Sequence, residues 1–359
     1  MSMPSHGSNP KYVYEAMGIQ IPNQYIDLSA NINPLGPPQA LSEKWKVFFK
    51  QIVDYPDPYA LSLKEVIMEK EKMDHDWLLI GNGGSELITL VARFLAKKRV
   101  LIIQPTFSEY EKACRVNECD VSYFRLNEPN WELDIDRLIP LLENADAIFL
   151  CNPNNPTGIL YPQSTILRLI KECKRAGCFV VLDEAFYDFV ETYESSVGLC
   201  KDFSNVIVLR SMTKMFAIPG LRLGYAVTNP MIIKELSAFQ SHWSVNTLAL
   251  LAGEVCLQNE AFILMTQEYI AKERQKLFQF FQKEAFITSA SRVNFYLLRD
   301  PKIENQKLLF RFLLEKGIVA RHTFNFPGLD GNWLRFAIKS THENERLMEV
   351  LTEWRMSHH

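Results

Sequence analysis

The sequence predicts an α/β protein with a large lobe, built on a mostly parallel sheet covered by helices, and a smaller α+β lobe at its C-terminal end. Two observations predict this fold. Short apolar runs without two-residue alternation recur between helical stretches, which is typical of parallel strands buried on both faces. Distinctive polar segments follow these runs, as expected where such a sheet binds ligands. The four clearest runs are residues 99–103, 147–151, 178–182 and 205–209.

The chain has 359 residues, enough for two unequal lobes. We expect an N-terminal arm over residues 1–30, a large domain over 31–244, and a bridging helix with a small domain over 245–359. The net charge of -3 provides no broad basic surface and so disfavours nucleic acid as a partner.

Seven cysteines without a CxxC pair favour reduced thiols in a cytoplasmic protein over a disulfide framework or a zinc site. We therefore expect no metal. No uninterrupted apolar run is long enough to span a bilayer, so we expect no membrane partner either.

The N-terminal third begins with a turn-rich arm that contains one predicted helix, residues 10–17. Residues 27–38 are rich in Asn, Pro and Gly, which predicts a fixed irregular loop. A turn at Tyr55-Pro56-Asp57-Pro58 then precedes a predicted helix over residues 61–73.

A glycine-rich turn separates a short apolar strand, residues 78–80, from a helix that extends to about residue 96. Backbone amides at the start of a helix can bind an anion, and glycine allows the anion to come close. The spacing of Gly81, Gly83 and Gly84 does not match a dinucleotide fingerprint, and no Gly-Lys-Ser/Thr follows. Gly84 and Ser85 are therefore candidates for a phosphate site of another kind.

Chemically distinctive segments follow the four apolar runs. Because the carboxyl ends of parallel strands meet at one edge of the sheet, we expect these segments to converge on one site. They are Gln104-Pro105-Thr106-Phe107, Asn152-Pro153-Asn154-Asn155-Pro156-Thr157-Gly158, Asp183-Glu184-Ala185-Phe186 and Arg210-Ser211-Met212-Thr213-Lys214.

Lys214 lies between two hydroxyl residues and an arginine, which places a reactive amine beside an anion site. An amine attacks a carbonyl only when it is unprotonated, and burial near Arg222 favours that state. Ser211, Thr213 and Arg222 can hold a phosphate. A charged surface loop is the alternative, but Pro219-Gly220 inside an apolar stretch favours a shaped turn. The segment predicts a Schiff base to a phosphorylated aldehyde cofactor.

The C-terminal part alternates helices and strands, and two of its arginines stand among apolar strand neighbours. Arg321 and Arg335 each need an anionic partner, and a planar guanidinium suits carboxylate or phosphate oxygens. A buried ion pair with a protein carboxylate is equally compatible with the sequence. The predicted helices are residues 230–241, 248–258, 261–283, 306–315 and 343–353, and the predicted strands are 292–298, 318–321 and 333–338.

Residues 211–225 resemble the cofactor-binding lysine segment of fold type I aminotransferases, in the branch with histidinol-phosphate aminotransferase and threonine-phosphate decarboxylase. The resemblance implies a fold type I pyridoxal-phosphate-dependent transferase fold, with residues 31–244 as the cofactor-binding domain, and a homodimer with shared active sites. It also implies roles for single residues. Lys214 is the Schiff-base lysine. The cofactor phosphate is surrounded by Ser211, Thr213 and Arg222, together with Tyr55 of the neighbouring subunit. Asp183 faces the ring nitrogen, Asn155 donates to the phenolic oxygen, and Phe107 stacks on the ring.

Two further segments resemble threonine-phosphate decarboxylase in particular. They are His6-Gly7-Ser8-Asn9 and Ser29-Ala30-Asn31-Ile32-Asn33-Pro34-Leu35-Gly36, whereas histidinol-phosphate aminotransferases usually carry Asn-Glu-Asn-Pro in the second loop. The resemblance implies that His6, Asn31, Arg321 and Arg335 bind the substrate's anionic end. Phe186 stands where aminotransferases of this fold usually have tyrosine, and Asp-Glu-Ala-Phe is more typical of the decarboxylase branch.

The expected reaction is the decarboxylation of L-threonine O-3-phosphate, a small phosphorylated amino acid, to (R)-1-aminopropan-2-yl phosphate for cobalamin biosynthesis. The alternative is transamination of histidinol phosphate with 2-oxoglutarate, in which Lys214 removes a proton. A third hypothesis, a non-catalytic sensor, is disfavoured because Lys214 and Asp183 are both present.

Overall fold

The computed structural model describes residues 3–358, so residues 1, 2 and 359 at the ends of the predicted arm and small domain lie outside it. Its α-helices are α1 (Pro10–Met17), α2 (Gln39–Phe49), α3 (Leu61–Glu71), α4 (Gly84–Phe94), α5 (Glu109–Val116), α6 (Ile135–Leu142), α7 (Gln163–Ala176), α8 (Leu199–Asp202), α9 (Pro230–Phe239), α10 (Thr247–Leu257), α11 (Glu260–Lys283), α12 (Lys307–Glu315) and α13 (Thr341–His358). Short 3-10 helices are formed by Lys50–Val53, His75–Trp77 and Tyr187–Phe189. The strands are β1 (Ile26–Asp27), β2 (Leu78–Gly81), β3 (Arg99–Gln104), β4 (Asp120–Arg125), β5 (Ala147–Cys151), β6 (Phe179–Asp183), β7 (Val206–Ser211), β8 (Gly224–Thr228), β9 (Ile287–Thr288), β10 (Phe295–Arg299), β11 (Ile318–Val319), β12 (Arg321–His322) and β13 (Leu334–Ala337).

The large sheet contains seven strands in the order β2-β8-β7-β6-β5-β3-β4. The five strands from β7 to β4 run parallel, and β8 pairs antiparallel with both β7 and β2. The predicted α/β class with a mostly parallel sheet is therefore confirmed. Strand β4 was not predicted as a separate element, because its sequence DVSYFR is polar and largely exposed at the sheet edge.

Both faces of the central strands are buried, which explains their continuous apolar runs. In β5, Ile148 and Leu150 pack into one hydrophobic cluster, whereas Phe149 and Cys151 pack into a second cluster on the opposite face. Successive side chains of a strand point to opposite faces, so each face needs its own apolar residues. The distinctive side chains therefore have to lie at the ends of these strands.

A separate antiparallel sheet, β12-β13-β10-β9, occupies the C-terminal part of the chain. The prediction of one strand over residues 318–321 was wrong. The chain changes sheets at Ala320: β11 pairs in parallel with β1, whereas β12 pairs antiparallel with β13. The proposed domain limits at residues 30/31 and 244/245 stay predictions.

Helix α11 has 24 residues and begins after Asn259, whose side-chain oxygen accepts a hydrogen bond from the amide of Phe262 at 3.2 Å. It contacts the 3-10 helix at Tyr187–Phe189 next to the large sheet and also β9 and α13. Within residues 3–358, no single helix combines the length and apolar composition of a bilayer span. The pair α10 and α11 meets that test only jointly, across a bend of 75°.

Candidate active site

A cavity of about 550 Å³ lies at the carboxyl ends of the parallel strands. Its wall combines the N-terminal arm, the loop after β1, the start of α4, the segments after β3, β5, β6 and β7, and the strands β12 and β13. Of the site residues predicted from the sequence, the cavity brings together His6, Asn31, Gly84, Ser85, Phe107, Asn155, Asp183, Ser211, Thr213, Lys214, Arg222, Arg321 and Arg335.

Lys214 lies three residues beyond the end of β7 and is partly buried in the cavity wall. Burial lowers the pKa of its amine to about 8, helped by the positive charges of Arg222 and Arg335 and opposed by Asp183. Within residues 3–358 its amine makes no hydrogen bond or ion pair. A substantial fraction of this amine is therefore unprotonated and available near neutral pH.

Asp183 ends β6 and lines the same cavity as Lys214. One carboxylate oxygen, Oδ2, accepts a hydrogen bond from the Tyr110 hydroxyl at 2.5 Å, and Oδ1 accepts one from the Ala185 amide at 3.0 Å. Burial raises the pKa of Asp183, while the two hydrogen bonds and Lys214 act in the opposite direction. Tyr110 was not predicted as a site residue, although it lies only three residues after Phe107, at the start of α5.

Arg335 connects the small sheet to Asn155. Its Nη1 donates to Oδ1 of Asn155 at 2.6 Å, and its Nη2 donates to the Ser29 carbonyl at 2.8 Å. A guanidinium group can only donate, so the amide oxygen of Asn155 must be the acceptor. The Nδ2 donor of Asn155 is consequently available to another group in the cavity.

Arg321 and Arg335 face each other across the antiparallel pair of β12 and β13. Arg321 donates to the carbonyls of Ser5 and His322 and to Oδ1 of Asn325, each at 2.6 Å. Neither arginine forms an ion pair with a carboxylate among residues 3–358, and Nε of Arg335 has no partner there. Burial lowers the pKa of Arg321 to about 10 and that of Arg335 to about 9, the latter assisted by the charge of Arg321. Two buried cations without an anion indicate a site for an anionic ligand.

The start of α4 provides a second candidate anion site in the same cavity. Gly83 has φ of 79°, in the left-handed region that favours glycine, and a Cβ atom there would lie 2.7 Å from Nη2 of Arg222. At Gly84 a Cβ atom would meet no atom within 4 Å, which leaves space in front of the helix amides. Ser211 and Thr213 complete the site, with their hydroxyl oxygens 2.9 Å apart. Helix amides, two hydroxyl groups and a guanidinium group fit a phosphate.

The N-terminal arm crosses from the small sheet to α5. The Ser5 carbonyl accepts the hydrogen bond from Arg321. Nε2 of His6 lies 2.8 Å from Oε1 of Glu109, and the His6 ring is 5.6 Å from the ring of Phe107. Asn31 is buried and its Oδ1 has no hydrogen-bond partner among the described residues. His6 is thus held by a carboxylate, whereas Asn31 presents an unsatisfied polar group.

Phe186 lines the cavity, and its ring packs against the ring of Phe295 at 4.8 Å. After Phe186 the chain enters the 3-10 helix at Tyr187–Phe189, and the Tyr187 ring lies 3.3 Å from the guanidinium of Arg210. Tyr187 does not line the cavity.

Tyr55 does not line the cavity of its own chain. It is 80% exposed, and its ring lies 4.6 Å from the ring of Trp243. Its predicted contact with a cofactor phosphate involves the neighbouring subunit and stays a prediction.

Comparison with known proteins identifies the family. The model of the family "Aminotransferase class I and II" matches residues 23–352. Threonine-phosphate decarboxylase of Salmonella typhimurium is 37% identical, over 97% of this chain and 95% of that protein. The adenosylcobalamin biosynthesis bifunctional protein CobDQ of Leptospira interrogans is 31% identical, over 98% of this chain and 41% of that protein. The solved structure of histidinol-phosphate aminotransferase from Clostridium acetobutylicum is 33% identical with a TM-score of 0.87, covering 92% of this chain and 98% of that one.

These matches extend over nearly the whole chain and confirm the resemblance and the fold. The chain therefore belongs to the aminotransferase class I and II family of pyridoxal-phosphate-dependent enzymes.

Proposed function

We propose that this protein decarboxylates L-threonine O-3-phosphate to (R)-1-aminopropan-2-yl phosphate, and that the reaction serves cobalamin biosynthesis. The observation that carries the phosphorylated substrate is the pair Arg321 and Arg335, buried without a carboxylate partner among residues 3–358 in the cavity that also holds Lys214. Two adjacent arginines suit a phosphate dianion. The similarity to the Salmonella and Leptospira proteins supports this substrate and this pathway.

The residues of the cavity fit pyridoxal phosphate. The amides of Gly84 and Ser85, the hydroxyls of Ser211 and Thr213, and Arg222 would hold its phosphate. Phe107, Asn155 and Asp183 would hold the ring, and Lys214 would bind the aldehyde carbon. When bound, this cofactor supplies a carbonyl that condenses with an amine and a ring that accepts the electron pair of the broken bond.

The arginine pair would decide which bond breaks. Arg321 and Arg335 would bind the substrate phosphate and thereby turn its carboxylate out of the plane of the ring. That orientation would favour loss of the carboxylate as carbon dioxide, for which the cofactor would supply the acceptor of the electron pair. The amine of Lys214, with its pKa near neutrality, would then return a proton to Cα.

Transamination of histidinol phosphate is the second candidate, and the similarity to the Clostridium structure favours it. The same arginines would bind that phosphate, while Lys214 would remove a proton from Cα. Phe186 argues for the decarboxylase, because the segment Asp183-Glu184-Ala185-Phe186 resembles that branch, whereas aminotransferases of this fold usually have tyrosine at the last position. A silent sensor is the least supported alternative, since Lys214 and Asp183 line one cavity.

Parallel assays distinguish these reactions. The pyridoxal-phosphate-loaded protein receives carboxyl-labelled L-threonine O-3-phosphate in one reaction and histidinol phosphate with 2-oxoglutarate in another. We expect labelled carbon dioxide from the first and no glutamate from the second. Unphosphorylated L-threonine should be processed with a kcat/KM about 10³-fold lower, because the arginines would stay unpaired. Glutamate from the second mixture without gas from the first would assign the aminotransferase reaction instead.

The lowered pKa of Lys214 predicts how the apoprotein captures the cofactor at different pH. With a pKa of about 8, roughly a tenth of the amine is unprotonated at pH 7, against about one part in 3,000 for an ordinary lysine at 10.5. The rate of cofactor attachment, followed by stopped-flow absorbance, should rise about tenfold per pH unit below pH 8 and level off above it. Nα-acetyllysine is the control, and its rate should continue to rise. A protein rate that climbs through pH 9.5 without a plateau would contradict the prediction.

We also propose that the protein is a homodimer whose subunits share active sites. Several large apolar side chains are exposed on and after α2, including Phe49 at 63%, Ile52 at 51% and Val53 at 82%. Tyr55 and Trp243 are also exposed, and their ring centroids lie 4.6 Å apart. An apolar surface of this kind needs a partner, and a second copy of the chain is the simplest one.

The dimer predicts a mass of twice 41.5 kDa by light scattering at micromolar concentration. The double variant Ile52→Asp with Val53→Asp should shift the protein to monomers and weaken cofactor binding, because Tyr55 would no longer reach the neighbouring site. Val116→Asp, which charges an equally exposed side chain at the end of α5, is the control. A monomeric wild-type protein that binds the cofactor tightly would contradict the proposal.

The cysteines support the proposed cytoplasmic location. All seven are buried and free of disulfide bonds, which suits a reducing compartment.

A further inference from the structure

The hydroxyl of Tyr110 lies behind the carboxylate that is proposed to face the cofactor ring. Tyr110 is fully buried in α5, and its hydroxyl oxygen is 2.5 Å from Oδ2 of Asp183. This distance is at the short end for O–H···O bonds and is typical of a charged acceptor. With the Ala185 amide on Oδ1, the carboxylate is held by one donor at each oxygen.

The ring of Tyr110 is fixed as firmly as its hydroxyl. It stacks on Phe149 of β5, with ring centroids 5.3 Å apart and an interplanar angle of 27°. Its edge meets Phe107 at 5.8 Å and 84°. Edge-to-face pairs of this kind are favourable and directional. Tyr110 therefore supports both Asp183 and Phe107, the acidic and the aromatic side chain predicted to contact the cofactor ring.

The direction of the hydrogen bond follows from the surroundings. Burial, and then the negative charge of Asp183, raise the pKa of the Tyr110 hydroxyl well above its usual range, so this hydroxyl keeps its proton and donates. Burial alone would favour a protonated Asp183, and the bond from Tyr110 is the largest effect that opposes it. Loss of the Tyr110 hydroxyl would hence leave a buried carboxylate with one donor fewer.

We propose that Tyr110 is a positioning residue for the cofactor, whose hydroxyl keeps Asp183 ionised and aimed at the ring nitrogen while its ring supports Phe107. The proposal rests on the cofactor placement given above and not on the identity of the substrate. Tyr110 would act through these two residues rather than by touching the substrate.

The test compares Tyr110→Phe with Tyr296→Phe. Both substitutions remove one hydroxyl from a fully buried ring, but the Tyr296 hydroxyl has no hydrogen-bond partner among residues 3–358. For each apoprotein the dissociation constant of pyridoxal phosphate is measured by absorbance titration, without any amino acid substrate. We expect Tyr110→Phe to weaken binding about tenfold or more, as for loss of a hydrogen bond to a charged group. Tyr296→Phe should stay within about twofold of wild type.

A second readout separates positioning from packing. The pH midpoint of the absorbance change of the lysine-bound cofactor should move upward by about half a pH unit or more in Tyr110→Phe. The reason is that a more basic Asp183 leaves less positive charge on the ring. In an Asp183→Asn background, adding Tyr110→Phe should change the dissociation constant less than about twofold, since the acceptor carboxylate is already gone.

Additive effects in the double variant, or a midpoint equal to that of wild type in a stably folded Tyr110→Phe protein, would overturn the proposal. Thermal unfolding of each variant establishes that it is folded. Because these readouts need only the cofactor, a failure of the decarboxylation assay would leave them interpretable.

Discussion

Substitution of Lys214 by alanine is expected to abolish turnover, with a loss of at least about 10⁴-fold in kcat. The proposed mechanism needs one amine that binds the cofactor aldehyde and exchanges a proton with Cα. Among the residues that line the cavity, the other candidates are poor. Arg222, Arg321 and Arg335 carry guanidinium groups rather than amines, and Nζ of Lys112 lies 3.6 Å from Oε1 of Glu109.

The measurement combines activity with the absorbance spectrum of the loaded protein. Wild type should show the band of the lysine-bound cofactor near the visible edge, and Lys214→Ala should show only the free aldehyde. Lys112→Ala is the matched control, since it removes another lysine from the same cavity wall, and it should retain the band. An unchanged spectrum in Lys214→Ala would reject the assignment of this lysine.

The positions of Lys214 and Asp183 could be predicted because they depend on local sequence and on one topological rule. Apolar runs such as β5 and β6 identify parallel strands, and the carboxyl ends of such strands meet at one edge. The first and last residues of helix α1 could also be predicted from the local sequence. Pro10 suits the first helical turn, and Gly18 adopts the left-handed conformation that ends the helix.

Pairings between distant segments could not be predicted in the same way. Nothing near residue 318 indicates that β11 pairs with β1, almost 300 residues earlier in the chain. The bond from Tyr110 to Asp183 likewise joins residues 73 positions apart. From the sequence, the anionic partner of Arg321 and Arg335 could be either a ligand or a protein carboxylate. Only their register across β12 and β13, without a carboxylate beside them in the described part of the chain, favours a ligand as that partner.

Arg335→Met is the second substitution with a large expected effect. Arg335 has two of its donors engaged, by Asn155 and Ser29, and its Nε has no partner among residues 3–358. Its loss should lower kcat/KM for threonine phosphate about 10²- to 10³-fold, or about 3–4 kcal/mol, the cost of removing one partner of a buried charged pair. The KM should rise because the phosphate loses a donor. The kcat should fall as well, because Asn155 loses the contact that orients its amide.

Two comparison variants separate charge from geometry. Arg335→Lys restores the positive charge, but an ammonium cannot reach two protein acceptors and an anion in one plane, so activity should recover only in part. Arg311→Met removes the same charge from an exposed site on α12, where the side chain pairs with Glu315, and should stay within about twofold of wild type. If Arg335→Met left the KM for threonine phosphate unchanged, the arginine pair would not be the phosphate site. The unpaired charge at β13 would then need a different anion, such as the carboxylate of an aminotransferase substrate.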